Sequence, residues 1–116
     1  MAEVTIYHNP RCSKSREALK LLRDHGVEPR IVEYLKEPPS PGELMAILDK
    51  LDMAPRELMR RKEAPYKDLN LDDTALGRDA LVAAMAAHPV LIERPVVVKG
   101  DKAVLGRPPE RVLEIV

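Results

Sequence analysis

Cys12 is the only cysteine of the 116-residue chain and lies in the polar segment 8–15, His-Asn-Pro-Arg-Cys-Ser-Lys-Ser. The pattern places it after a short strand and at the start of a helix. A helix N-terminus carries about half a positive charge and unsatisfied N–H groups, which favour a thiolate over a thiol. The residue type alone also fits an inert, buried cysteine, but a polar strand-to-helix turn fits that interpretation poorly. We therefore predict that Cys12 is an ionised nucleophile.

Two neighbours of Cys12 are candidates for helping it to ionise. His8 precedes it across the predicted turn, and Ser15 follows one helical turn later, where its hydroxyl could donate a hydrogen bond to a thiolate. Positive charge nearby would lower the thiol pKa from its ordinary value of about 8.5. Each also has a structural interpretation, His8 as a turn residue and Ser15 as an ordinary first-turn serine. We predict catalytic roles for Cys12, His8 and Ser15.

The residues around Cys12 exclude two thiol chemistries. A dithiol oxidoreductase needs Cys-x-x-Cys, but position 15 is serine, and a phosphatase-type Cys-x5-Arg loop needs arginine where Ala18 stands. With no second cysteine, a molecule from outside the chain must release any covalent intermediate on Cys12. One cysteine also excludes a disulfide framework and a multi-cysteine zinc site. We predict no metal and no bound cofactor.

Three arginines stand where an oxyanion could be held. Arg60 lies in the predicted helical middle of the chain, Arg94 directly precedes Pro95, and Arg107 follows a predicted hairpin. Ligands of open α/β sheets gather at the carboxyl ends of the strands, near which the start of the third strand is expected to lie. The planar fork of arginine suits a tetrahedral oxyanion better than the point charge of lysine. A solvated, structural role stays open for each.

The elements that must position these residues predict an α/β fold with helices inserted in the middle. Strands are predicted at 3–7 and 30–35 on either side of a helix at 13–25, which indicates a parallel pair with a right-handed connection. Further helices are predicted at 40–50, where Ser40 and Glu43 form a capping box, at 55–62, and from 73 or 74 to about 88.

The last part of the chain returns to strands. Residues 95–98 and 103–105 are predicted to pair across a tight turn at 100–101, and a final helix begins with Pro109 in its first turn. No linker or low-complexity segment interrupts the pattern. We predict a single domain over residues 1–116.

Composition excludes several classes of function. Lysine plus arginine and aspartate plus glutamate both total 19, so no net charge attracts the chain to nucleic acid or acidic lipid. Three tyrosines, without tryptophan or phenylalanine, cannot form a platform for stacking bases. Apolar runs fall far short of the ~20 residues of a membrane span, and no secretory signal is visible. We expect a soluble, cytoplasmic monomer that binds neither nucleic acid nor membrane.

The segment Tyr7–Arg16 resembles the active-site opening of the glutaredoxin-coupled arsenate reductases, the thioredoxin-fold branch of those enzymes. The likeness spans essentially the whole chain through Glu28-Pro29, Tyr34-Leu35, Pro38-Pro39-Ser40, Arg56-Glu57-Leu58-Met59-Arg60, Pro65-Tyr66, Arg94-Pro95 and Gly106-Arg107-Pro108. It implies a thioredoxin-like fold with a helical insertion between the second and third strands, and a cis peptide bond at Pro95.

The resemblance also implies roles for the candidate residues. Cys12 matches the nucleophile, His8 and Ser15 match residues that ionise and orient it, and three arginines match those that bind the oxyanion: Arg60, Arg94 and Arg107. In such enzymes the thiolate attacks arsenate, glutathione joins the adduct, glutaredoxin reduces the mixed species and arsenite leaves. The resemblance thus implies arsenate as substrate, glutathione as co-substrate and glutaredoxin as partner.

Two departures and two alternatives accompany this interpretation. Ser13-Lys14-Ser15 replaces the Gly-Thr-Ser of arsenical-resistance members, and the chain ends at Val116 without their longer tail, so it is similar to the short chromosomal relatives.

The first alternative function is that of an Spx-type transcription regulator, which has a similar fold and binds RNA polymerase. Most redox-sensing regulators of this type use Cys-x-x-Cys, which Ser15 excludes here. A thiol oxidoreductase acting on another substrate, such as a glutathione mixed disulfide, is the second alternative.

Overall fold

A computed structural model describes residues 3–116 of the chain. They form two compact units: the first contains the described residues up to Glu37 together with Arg94–Val116, and the second is Pro38–Glu93. The second unit is therefore an insertion in the sequence of the first. The expectation of a single domain over residues 1–116 stays a prediction.

The first unit is built on a four-stranded mixed sheet of order β2-β1-β3-β4. A helix, α1, connects the first two strands, and a 3₁₀ segment follows the last strand. Their bounds are β1 Val4–His8, α1 Ser13–Asp24, β2 Arg30–Glu33, β3 Val96–Lys99, β4 Lys102–Leu105 and the 3₁₀ segment Pro109–Glu114. The helix predicted to follow Pro108 is this 3₁₀ segment. β2, predicted to continue to residue 35, ends at Glu33.

The strand register brings the two ends of the first unit's sequence together. β1 runs parallel to β2, as predicted, and antiparallel to β3, so that Tyr7 lies between Val32 and Val96. β3 and β4 form the predicted antiparallel hairpin, in which Val96 pairs with Leu105. The carboxyl ends of β1, β2 and β4 therefore meet the start of β3 at one edge of the sheet.

The core of the first unit lies between this sheet and α1. Alternate residues of β1 point inward, and α1 contributes Ala18, Leu19 and Leu22, whose helical spacing forms one apolar stripe. Val112 of the 3₁₀ segment closes the same cluster. Each large side chain buried there stabilises the unit by about 1.5–3 kcal/mol. α1 ends before Gly26, whose φ of 78° is a conformation that glycine adopts without strain.

The second unit is helical. It contains α2 Pro41–Leu51, a 3₁₀ segment Pro55–Leu58, α3 Ala64–Asp68, α4 Arg78–Ala87 and a 3₁₀ segment Pro89–Leu91. The predicted capping box is confirmed, because Ser40 Oγ accepts from the N–H of Glu43 (3.1 Å) and Glu43 Oε1 accepts from the N–H of Ser40 (3.2 Å). α2 packs against α4 through the buried residues Leu44, Ile47, Leu48, Leu81, Val82 and Met85.

Two helix predictions in the second unit were wrong in extent. The helix expected at 55–62 stops at Leu58, since Met59 forms a β-bridge with Ile92 and Arg60 N–H donates to the carbonyl of Leu91 at 2.7 Å. These strand-like bonds replace the bonds that would continue a helix. α3, which follows shortly afterwards, was not predicted.

The long helix expected from residue 73 or 74 begins at Arg78. The side chain of Asp73 accepts from the N–H of Ala75 at 2.9 Å, and its carbonyl accepts from the N–H of Leu76 at 3.1 Å. These bonds close a turn, because a short acidic side chain competes for the backbone N–H groups that a helix would use. The helix begins only after Gly77.

Candidate active site

A tight turn, Asn9–Cys12, connects β1 to α1 and sets the position of the thiol. The N–H of Cys12 donates to the carbonyl of Asn9 (3.0 Å), and the Asn9 side chain accepts from the N–H of Arg11 (3.0 Å). Arg16 donates to the carbonyl of Pro10 (3.0 Å) and so ties the helix to the turn. Cys12 is the N-cap of α1, with extended backbone angles, and its carbonyl accepts the first helical hydrogen bond from Arg16.

The surroundings of the half-buried Cys12 favour its thiolate. Burial by itself raises the pKa of the Cys12 thiol, but the N–H groups of Ser15 and Lys14 and the guanidinium of Arg94 lower that pKa further than burial raises it. The net pKa lies below the usual range of a cysteine. The first turn of α1 contains no acidic residue that would oppose this effect.

His8 and Ser15 form a buried pair beneath the turn. Ser15 Oγ lies 2.6 Å from His8 Nδ1 and accepts from the N–H of Asn9 at 3.1 Å. Both side chains are more than nine-tenths buried. The hydroxyl of Ser15 therefore joins the end of β1 to the first turn of α1, whereas the Ser15 group that favours the Cys12 thiolate is its backbone N–H.

The protonation of His8 follows from the same environment. Burial lowers the pKa of His8 below its usual value; Glu33 opposes this effect, whereas Arg23 and Arg16 add to it. A neutral ring is thus favoured near pH 7. A neutral ring with its proton on Nε2 accepts the Ser15 hydroxyl proton at Nδ1, while the N–H of Asn9 donates to the same hydroxyl oxygen, so that the Ser15 hydroxyl both donates and accepts a hydrogen bond.

Two of the candidate arginines meet at the edge of the sheet where Cys12 lies. Arg94 lies just before β3, and the pairing of β3 with β1 brings it close to the end of β1. Its positive charge lowers the pKa of the Cys12 thiol. Arg107 follows β4, and its Nη1 donates to the carbonyl of Arg94 at 3.3 Å. The predicted cis peptide at Arg94-Pro95 is confirmed, and Arg107-Pro108 is cis as well.

Gly106 allows these strand ends to approach each other. Its N–H donates to the carbonyl of Pro95 at 2.8 Å. A Cβ at this position would lie 2.8 Å from the Pro95 side chain and 2.9 Å from that of Val112, closer than packed atoms tolerate. The sequence indicates a turn at Asn9-Pro10, directly after the strand, but assigns no role in the site to Asn9 or Gly106.

Arg60 belongs to the second unit. Its Nη1 forms an ion pair with Glu63 at 2.7 Å, and both side chains are 29% exposed. Its neighbour Arg56 donates to the backbone carbonyls of Leu71 and Asp73, which gives it a structural role. The first unit alone brings together five of the six candidate residues: His8, Cys12, Ser15, Arg94 and Arg107.

Within residues 3–116, no group of three or more histidine, cysteine, aspartate or glutamate side chains is arranged to hold a metal ion. None of the helices in this part of the chain has the length and apolar composition needed to cross a bilayer.

Several known proteins are similar to this chain in sequence and in fold. The ArsC family model matches residues 7–115. The chain is 56% identical to the uncharacterized protein YfgD of Escherichia coli K12, over 98% of this chain and 97% of that protein. It is 52% identical to an arsenate reductase of Haemophilus influenzae, over 97% of each. The solved arsenate reductase of Vibrio cholerae superposes with a TM-score of 0.96 at 53% identity, covering 99% of this chain and 98% of that one.

The sheet order and the thiol at the strand-to-helix turn define a thioredoxin-like α/β protein with one cysteine, in which a helical unit separates β2 from β3 in the sequence. The chain belongs to the ArsC family. The fold class and the family expected from the sequence are therefore confirmed.

Proposed function

We propose that the protein reduces arsenate to arsenite through Cys12, with electrons from glutathione and glutaredoxin. The observation that supports this most directly is the lowered pKa of the Cys12 thiol beside Arg94. A thiolate next to a guanidinium can attract an oxyanion and attack it with the same group of atoms. The names of the relatives from Haemophilus influenzae and Vibrio cholerae point to arsenate as that oxyanion.

The proposed first step is nucleophilic. The tetrahedral arsenate approaches the guanidinium groups of Arg94 and Arg107, with Arg60 as a third proposed ligand. The Cys12 thiolate attacks arsenic, a sulfur–arsenic bond forms, and an arsenic–oxygen bond breaks. The departing oxygen takes up protons and leaves as water. Arginines held around developing negative charge stabilise such a transition state.

The proposed electron balance requires two thiols from outside the chain. Reduction of arsenic(V) to arsenic(III) consumes two electrons, and the oxidation of one glutathione thiol and one glutaredoxin thiol to a mixed disulfide supplies them. Water then replaces the Cys12 sulfur on arsenic(III), so that arsenite leaves and Cys12 returns to the thiolate. The single cysteine of the chain fits this scheme, because no internal thiol can resolve the adduct. We expect the protein to act as a monomer in the cytoplasm, where glutathione keeps thiols reduced.

The test is an assay of arsenite formation from arsenate with glutathione, glutaredoxin and an NADPH-linked system that regenerates glutathione. We expect turnover by the native protein and none by Cys12→Ser above the background without enzyme. Omission of glutaredoxin or glutathione should each abolish turnover. Equal rates for the native protein and Cys12→Ser would refute the proposal.

The same preparations separate the two alternatives. Faster reduction of a glutathionylated peptide than of arsenate would identify a thiol oxidoreductase with another substrate. Retention of RNA polymerase by the immobilised protein, without arsenite formation, would identify a regulator of the Spx type.

A further inference from the structure

One cavity of the first unit lies beside the active-site turn, next to β2. It has a volume of about 200 Å³ and is bounded by the turn residues 9–11 and by Glu33, Leu35 and Lys36, with His8 at its base. We call it the β2 cleft. His8 contributes a ring whose Nδ1 is already engaged by Ser15, so its other nitrogen is the one available to the cleft.

The lining of the β2 cleft carries both signs of charge beside apolar surface. Lys36 Nζ lies 3.8 Å from Glu33 Oε1, and the two side chains are 80% and 41% exposed, so this ion pair is loose and contributes little by itself. Arg11 adds a second cation at the turn. Leu35 is 42% exposed and, with Pro10, forms an apolar wall.

These groups match the chemistry of a free amino-acid end. An α-ammonium can pair with Glu33, an α-carboxylate can pair with Lys36 or Arg11, and the methylene groups between can lie along Leu35 and Pro10. A ligand that binds Glu33 and Lys36 forms charge-assisted hydrogen bonds with both residues, and only the weak, solvated ion pair between them is lost. A purely anionic or purely apolar ligand would leave part of this lining unmatched.

The β2 cleft and the Cys12 thiol share the turn Asn9–Cys12. The hydrogen bond from the N–H of Cys12 to the carbonyl of Asn9 closes this turn, which keeps the two Cα atoms within about 7 Å. Residues 9–11 line the cleft and Cys12 follows them directly in the same turn, so a peptide bound in the cleft lies next to the residue that carries the thiol.

We infer that the β2 cleft binds the zwitterionic γ-glutamyl end of the thiol co-substrate and so positions the thiol that attacks the Cys12 adduct. This inference rests on the proposed function for the identity of the co-substrate. Glu33, Lys36 and Arg11 are then positioning residues, since they hold a part of the co-substrate that does not react.

Binding can be measured without turnover. Cys12→Ser, in which serine retains an N-cap residue, is titrated with S-methylglutathione, whose blocked sulfur cannot form a disulfide. We expect saturable amide shifts at Arg11, Leu35 and Lys36 in heteronuclear NMR spectra. Lys36→Glu in the same background should weaken binding at least ten-fold, whereas the matched variant Lys102→Glu, at the other edge of the sheet, should bind as before. S-methyl-N-acetylcysteine, which has no ammonium group, should not saturate these shifts.

Kinetics give a second readout and separate this inference from the proposed function. In the full assay, Lys36→Glu should raise the KM for glutathione at least ten-fold while the KM for arsenate stays within two-fold. Shifts that map away from the β2 cleft, or binding that Lys36→Glu leaves intact, would overturn the inference while arsenite formation still stood. Binding in the cleft without any arsenite formation would refute the proposed function and leave the cleft as a site for γ-glutamyl peptides.

Discussion

At the scale of single residues, Cys12 is governed by opposing effects. Burial disfavours its charge, whereas two backbone N–H groups and the guanidinium of Arg94 favour it, and the second set prevails. The N–H groups belong to the helix and persist in any variant that keeps α1. The contribution of Arg94 is the one that a substitution can remove.

Arg94→Gln should raise the pKa of the Cys12 thiol, because it removes the positive charge that stabilises the thiolate. The pH midpoint of iodoacetamide alkylation measures this pKa. We also expect arsenite formation to fall by about 10²-fold, as when one donor to a developing oxyanion is lost. Arg111→Gln, an exposed arginine that pairs with Glu114, is the matched control and should leave the midpoint in place. An unchanged midpoint in Arg94→Gln would refute the assigned role.

Ser15→Ala should destabilise the fold by about 1–3 kcal/mol, because it leaves the partly buried N–H of Asn9 and the buried ring of His8 without their shared partner. Urea unfolding measures the change. Ser13→Ala provides the control, since Ser13 is exposed in the same helical turn and should change stability by less than about 0.5 kcal/mol. Equal effects of the two substitutions would mean that the hydroxyl of Ser15 does not contribute to the stability of the fold.

His8 should make the stability of the protein depend on pH in the mildly acidic range. Unfolded histidine titrates near pH 6.5, and burial lowers the pKa of His8 in the folded state. As the pH falls below about 6.5, the unfolded chain gains a proton that the folded chain does not yet bind, so stability decreases until the folded pKa is reached. Urea unfolding at about pH 7.5 and about pH 5.5 should therefore show a smaller loss in His8→Gln than in the native protein. The same loss in both proteins would contradict the assignment.

At the scale of elements, the site depends on how closely the ends of β3 and β4 approach. Gly106→Ala should destabilise the first unit by about 1–3 kcal/mol, because its Cβ would overlap the side chains of Pro95 and Val112. Gly42→Ala is the matched control: a Cβ at that helical position meets only Ser40 Oγ at 3.9 Å, and alanine should add about 0.5–1 kcal/mol. Thermal unfolding compares the two. A stabilised Gly106→Ala would show that the strand ends can separate without cost.

Some boundaries of helices and strands could be predicted from the sequence, and others could not. The capping box of Ser40 and Glu43, the hairpin turn at 100–101 and the end of α1 at Gly26 were predictable because each depends on residues close in the chain. The early end of the helix at Leu58 was not, because its cause is a bridge to Ile92, far along the sequence. Local signals cannot report such a partner.

In the candidate site, too, some features follow from the sequence and others depend on tertiary contacts. The place of Cys12 at the start of α1 follows from local pattern, and the positions of Arg94 and Arg107 follow from the strand order. Which group of Ser15 faces the thiol depends on the position of His8 across the turn, a tertiary contact that composition and spacing do not encode. Glu33 was likewise not singled out, because only the register of β2 against β1 brings it opposite His8.

At the scale of the whole molecule, one thiol sets the possible oxidised states. Because the chain has a single cysteine, oxidation cannot form an internal disulfide, and every disulfide must join Cys12 to another molecule. Incubation with glutathione disulfide should give one glutathione adduct per chain by mass spectrometry, and Cys12→Ser should give none. Glutaredoxin should remove the adduct. Failure of the folded protein to form this adduct, when the urea-unfolded protein forms it, would show that the turn shields the sulfur from glutathione.

The first unit is discontinuous in sequence: its sheet needs β1 from the beginning of the chain and β3 and β4 from the last quarter. Synthesis on the ribosome releases these pieces at different times, and domains fold as their residues emerge. The nascent chain therefore carries Cys12 on an unfinished sheet, without Arg94 beside it, until the whole helical unit 38–93 has been translated. The guanidinium that favours the thiolate reaches the sulfur only after that unit has left the ribosome.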